Sequence, residues 1–134
     1  MNNNNQNIDK AKEWFLKAAR EGSYEALYKL GQMLDPNEQS KSKCVRRAIN
    51  HYEITKVIIP NSVIEIGFRE FYGCESLQNI VIPDSVTEIG ESALASCDSL
   101  HKITMPKKLK NISIDRITKH LFYNKPYNGV VEYY

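Results

Sequence analysis

The 134-residue chain is 42% apolar and 25% charged, the balance of an ordinary soluble globular protein of one domain or two small ones, so whole-chain disorder is excluded. No stretch approaches the roughly 18 consecutive apolar residues of a membrane span. The net charge of +2 is unevenly spread: residues 1–36 balance, 37–56 carry +3, 57–103 carry −5 and 104–134 carry +4. The body of the chain thus has the wrong sign for the basic stripe of a nucleic-acid binder.

Residues 1–7 are almost all Asn and Gln and read as a disordered tail. They show neither the basic start nor the apolar run of a secretory signal, so the expected location is the cytoplasm. The cell surface or secretion is expected instead if an export signal precedes this sequence.

Residues 8–36 read as an antiparallel helical hairpin. In the first helix, Ala11, Trp14, Phe15, Ala18 and Ala19 follow the i, i+3, i+4, i+7, i+8 spacing of one buried face, and Gly22 ends it. The second runs from about Ser23 to Leu34 with Ala26, Leu27, Leu30, Met33 and Leu34 inward, until Asp35-Pro36 stops it. Ala11, Trp14, Lys17-Ala18-Ala19, Gly22, Ala26 and Leu30-Gly31 together resemble the Sel-like repeat, a relative of the tetratricopeptide repeat, over residues 9–34. The resemblance implies that Ala18, Ala26 and Gly31 let the two helices approach closely while Trp14 fills the groove. A single helical repeat leaves one face uncovered, which must lie on the next unit or on another molecule.

Polar residues 37–43 form a linker. A third helix follows, with Val45, Ala48, Ile49 and Tyr52 on one face and Ser42 as candidate N-cap, placed to cover the apolar end of what comes next.

Pro60, Pro83 and Pro106 stand 23 residues apart, and residues 57–79 align with 80–102 at ten identities. The shared phrase is Cys-x-Ser-Leu-x-x-Ile-x-Ile-Pro-x-Ser-Val-x-x-Ile-Gly. Ile80 and Ile82 alternate inward from a short strand, Pro83 ends that strand, and Val86 and Ile89 close the core beneath it. Gly90 is expected to permit a backbone turn that a Cβ would strain. Residues 91–96 form a short helical turn with Leu94 inward, as Phe71 is one repeat earlier. This unit resembles the BspA-like leucine-rich repeat over about residues 51–112.

Extrapolating the register predicts strands near 54–59, 77–82 and 100–105. The pattern decays after Ile112, a terminal helix is expected over 115–123, and residues 130–134 form a candidate fourth strand. The expected fold is α+β: a solenoid with a small parallel sheet and its cap helix over 44–134, preceded by the helical hairpin.

His51, Cys74, Cys97 and His120 each stand 23 residues apart and invite a zinc site. Coils stack about 4.8 Å apart, which puts the end histidines roughly 14 Å from each other, whereas zinc needs ligands within about 2.3 Å of one point. The column is therefore read as one core slot of successive coils, with reduced thiols in its middle. No nucleophile has a visible base beside it, no glycine-rich phosphate loop is present, and Glu65 and Glu88 recur because the repeat recurs. No catalytic residue, metal or cofactor is assigned.

Strand parity places Lys56, Ile58, Asn79, Val81, Lys102 and Thr104 on the outer face of the sheet, with Gln78 and His101 at its margin. Ile58 and Val81 then form an exposed aliphatic pair for a protein partner to cover. The leading expectation is a non-catalytic protein-interaction module or scaffold. An exported adhesin, which the BspA-like resemblance implies, and a self-associating homo-oligomer are the alternatives.

Overall fold

The computed structural model describes residues 3–119 and 126–134. Helices α1 (Asn3–Arg20) and α2 (Tyr24–Leu34) form the hairpin, and Gly22 turns between them with φ of 103°, a region open to glycine at little cost. Ser23 caps α2 by accepting a bond from Ala26 N at 3.2 Å. The Asn-rich segment is helical from Asn3 rather than disordered through residue 7, because adding residues to an existing helix needs no new nucleus.

Two expectations for the hairpin are overturned. Trp14 is 74% exposed instead of filling the groove, because the stripe of α1 that α2 covers runs through Phe15, Leu16 and Ala19. Gly31 serves a different crossing: a Cβ there would collide with the Cys44 carbonyl, so it sets the approach of α2 to α3 (Lys41–His51). That helix starts inside the expected linker. Its N-cap is Ser40 rather than Ser42, since Ser40 has the extended backbone of a cap and accepts from Lys43 N at 3.3 Å. Helix α3 packs extensively on α2 and buries Cys44, Val45, Ala48 and Ile49.

The repeats form a parallel sheet of β1 (Lys56–Ile58), β3 (Asn79–Val81) and β5 (Lys102–Met105), in register through Val57, Ile80 and Ile103. Strand β6 (Val130–Tyr133) joins β5, also parallel, giving the order β1-β3-β5-β6. A second sheet, absent from the expectations, pairs β2 (Glu65–Ile66) with β4 (Glu88–Ile89). Between the sheets lie the inward residues of each coil, among them Ile59, Phe71, Leu77, Ile82, Val86, Ile89 and Leu94. The core continues without a break into Leu27, Leu30 and Ile49 of the helices.

The turns opposite the main sheet stack through backbone bonds as well. Phe71 N donates to Ala93 O at 2.8 Å, Gly73 N to Ala95 O at 2.9 Å, and Leu94 N to Ile117 O at 2.8 Å. Their left-handed positions also repeat, Arg69 with Ser92 and Gly73 with Ser96.

Each end of the stack leaves backbone groups that need partners. At the start, Arg46 Nη1 donates to Arg69 O at 3.3 Å and Asn50 Nδ2 to Gly73 O at 3.1 Å. These side chains of α3 stand in for the N–H groups of a preceding coil. The edge of β1 is met by the hairpin turn, where Ile58 N donates to Gly22 O at 2.8 Å and Ser23 bridges Ile58. At the other end, α4 (Ile114–Thr118) supplies Arg116, whose guanidinium donates to Ile89 O at 2.9 Å. This is the terminal helix expected over 115–123. It starts one residue early, capped by Ser113, and Lys119 already leaves helical geometry. The rest of that expectation, from His120, lies outside the described residues.

Gly90 serves packing rather than a turn. A Cβ there would lie 2.6 Å from Phe68 N and 2.7 Å from Gly67 C, on the backbone of the preceding coil. The equivalent Cβ on Gly67 would meet only Glu70 Oε1, at 3.8 Å. Gly90→Ala is therefore expected to cost about 1–3 kcal/mol through overpacking, while Gly67→Ala stays near wild type, as chemical denaturation of the two variants will show.

Glu70 takes the slot of Ala93 and lies half-buried, with Oε1 3.5 Å from Gly67 N. Burial raises its carboxyl above the ordinary 4.5, Gly67 N–H lowers it in part, and nearby Glu65 raises it further. Between that ordinary value and the raised one, the folded state holds more protons than the unfolded state, so this group's contribution to stability falls as pH rises. Thermal unfolding of Glu70→Gln should coincide with wild type near pH 4 and lie above it near pH 7.

Candidate functional site

The face expected to bind is a flat array set by the parallel register. One row runs Lys56, Asn79, Lys102 and Val130, and the next runs Ile58, Val81, Thr104 and Glu132. Val57, Ile80 and Ile103 lie between the rows and point into the core, as the two-residue period of a strand requires. All six sheet-face residues expected from strand parity fall on these two rows. Gln78 and His101 lie at the strand entrances, where His101 N donates to Gln78 O at 3.0 Å and Val130 N to His101 O at 2.8 Å.

Exposure across the face is graded. Ile58 is 41% exposed, with Val81 on one side and the Gly22–Ser23 turn on the other, whereas Val81 is half-buried between β1 and β5. Their aliphatic pair is therefore lopsided, with Ile58 the projecting member. Lys102 Nζ reaches Glu132 Oε2 at 3.0 Å across the surface, an exposed pair of small energetic weight that holds the lysine to one side. Val130 and Glu132 were not among the expected face residues. Their alternation marks a strand, but nothing local to residues 130–134 says that it pairs with β5.

The His and Cys column does not converge on a point. Cys74 and Cys97 are buried in adjacent coils, and Cys97 Sγ donates to Phe71 O at 3.1 Å. The hydrogen bond with Cys97, together with burial, holds the Cys74 thiol well above its ordinary range. His51 sits exposed on α3 with its ring edge-on to Tyr52 at 4.6 Å, and His120 lies outside the described residues. Among the described residues no group of three or more His, Cys, Asp and Glu side chains is placed to hold a metal ion.

A sheet of parallel, in-register strands with turns stacked behind it is the architecture of a short leucine-rich-repeat solenoid of α+β class. The family model described as the BspA type leucine rich repeat region (6 copies) matches residues 45–128, and this chain belongs to that family. A solved leucine-rich repeat protein from Bacteroides ovatus is similar at 31% identity, with a TM-score of 0.47, over 60% of this chain and 18% of its own length. No curated protein matches the sequence. The Sel-like resemblance of residues 9–34 lies outside the matched region. Among the described residues no helix is long and apolar enough to cross a membrane.

All three thiols are buried, at Cys44, Cys74 and Cys97, and the Cys44 and Cys74 thiols are raised above their ordinary value. Titration with an aromatic disulfide reagent should therefore find them slow in the native protein, with all three reacting promptly once it is denatured.

Proposed function

We propose that this chain is a non-catalytic interaction module that binds a protein partner through the sheet face of its solenoid. The observation that carries the reading is the aliphatic step of Ile58 and Val81, flanked by Lys56, Asn79, Lys102 and Thr104 in strict register. An apolar patch bordered by polar groups that can donate or accept is the anatomy of a protein interface. Rigidity supports it: every one of these residues sits on or beside a strand whose neighbours are hydrogen-bonded on at least one side. Such a face needs little ordering on binding, which spares affinity.

A role in recognition rather than reaction follows from how a solenoid distributes its groups. Like side chains recur along a line, whereas catalysis requires unlike groups aimed at one point. Leucine-rich repeats use the extended surface made by stacking for binding.

The test is recovery of partners from the native cell with Ile58→Asp and Val81→Asp variants. Placing a carboxylate within an interface removes an apolar contact of about 2 kcal/mol or more, so the double variant should lose most of its partner while remaining folded, with some loss of unfolding midpoint from the half-buried Val81 position. Undiminished recovery by a folded double variant would overturn the assignment.

A further inference from the structure

The small sheet has one closed edge and one open edge. On the closed side, Arg116 donates to Ile89 O from beyond β4 at 2.9 Å. On the open side, β2 has no neighbouring strand among the described residues. Thr87 N donates to Ile64 O at 2.8 Å and Gly90 N to Ile66 O at 2.7 Å, so Ile64 and Ile66 direct their backbone groups toward β4. By the alternation of a parallel ladder, Glu65 directs its N–H and C=O outward, and the Gly67 N–H follows it. Among the described residues the Gly67 N–H is met by the Glu70 carboxylate, at 3.5 Å.

How a backbone docks on such an edge is visible one coil further on. There the Gly67–Phe68 backbone lies against Gly90, within 2.6 Å of where a Cβ would stand, and Gly67 offers the same seat with nothing in it but Glu70 Oε1 at 3.8 Å. The seat is flanked by Ile64 and Phe68, 64% and 61% exposed. The matching slots of the next coil hold Thr87 and Glu91, so the apolar character belongs to this coil alone and not to the repeat. The Arg69 guanidinium lies 4.8 Å from the centre of the Phe68 ring and 5.6 Å from that of Tyr72, holding Phe68 in place.

We propose that the open edge of β2 is a docking site for an extended segment of a protein partner, added as a strand and carrying alternating cationic and apolar residues. Charge selects that occupant. Glu65 lies beside Glu88 in register, Glu70 is adjacent, and Glu91 follows Gly90, so four carboxylates outnumber two nearby guanidiniums, Arg69, which is turned onto aromatic rings, and Arg46, which is engaged on the Arg69 carbonyl at 3.3 Å. A second copy pairing edge to edge would bring Glu65 against its own counterpart, which like charges disfavour. Strand addition supplies affinity through the backbone, and the flanking side chains choose the sequence. The surface is separate from the face built on Ile58 and Val81, and its test is independent of that reading.

The experiment titrates the full chain into a fluorescent octapeptide of alternating lysine and valine, and into its glutamate–valine counterpart, at low ionic strength, reading anisotropy. The lysine peptide is expected to bind and the glutamate peptide not. Gly67→Ala, which leaves every charge in place, should weaken binding about tenfold or more. So should Ile64→Asp with Phe68→Asp, while Ile58→Asp leaves binding unchanged. Should Gly67→Ala fail to fold, the exposed pair Ile64 and Phe68 carries the same comparison. Absence of saturable binding to the lysine peptide overturns the proposal. So do equal affinity of folded Gly67→Ala, which would mean charge attraction without strand addition, and a concentration-dependent dimer abolished by Phe68→Asp, which would give the edge to a second copy.

Discussion

Stacking of successive coils at one register is the constraint from which the rest of this molecule follows. Each coil hydrogen-bonds to the next along the main sheet, along the short β2–β4 ladder and along the turns behind them. The closest approach comes where the backbone at Gly67 and Phe68 lies on Gly90, and only a residue without Cβ leaves room for it. A stack held this way cannot stop without cost, because its last ladder groups would be left unpaired.

Both termini of the repeat region are organised around that cost. The cap helix places Arg46 and Asn50 one repeat before Arg69 and Gly73, whose carbonyls they satisfy, so the helix imitates the donors of a coil it does not contain. At the opposite end Arg116 and β6 serve the equivalent purpose. The hairpin is drawn into the same arrangement: its turn at Gly22 and Ser23 meets the edge of β1, and its buried residues merge with those of the repeats. The helices and the solenoid therefore share one core.

Much of the repeat region was legible in the sequence. The 23-residue period located the strands within two residues, identified the inward aliphatics and placed all six sheet-face residues on the correct side, because strand parity is a local property. The helical region was legible only as elements. Trp14, Gly31 and Ser42 were each assigned a reasonable local role that the structure reassigns, since which stripe of α1 is covered, which crossing a glycine permits and which serine caps α3 depend on where neighbours lie.

The amino-acid sequence by itself determined the repeat and its parity, because these are written in the spacing of Ile, Pro, Val and Gly along one strand of chain, but it drew the limits too narrowly: the family match runs over 45–128 rather than about 51–112, and β6 continues the sheet past the decay after Ile112. Tertiary structure alone decided that β6 pairs parallel to β5 and adds Val130 and Glu132 to the face, that Gly90 is a contact and not a turn, and that β2, beside Ile64 and Phe68, has no second neighbouring strand among the described residues. The physical reason is the same in each case. Local spacing states what a residue can do, whereas an edge, a clash or an exposed ring is defined by whatever occupies the space beside it, and that neighbour comes from distant chain.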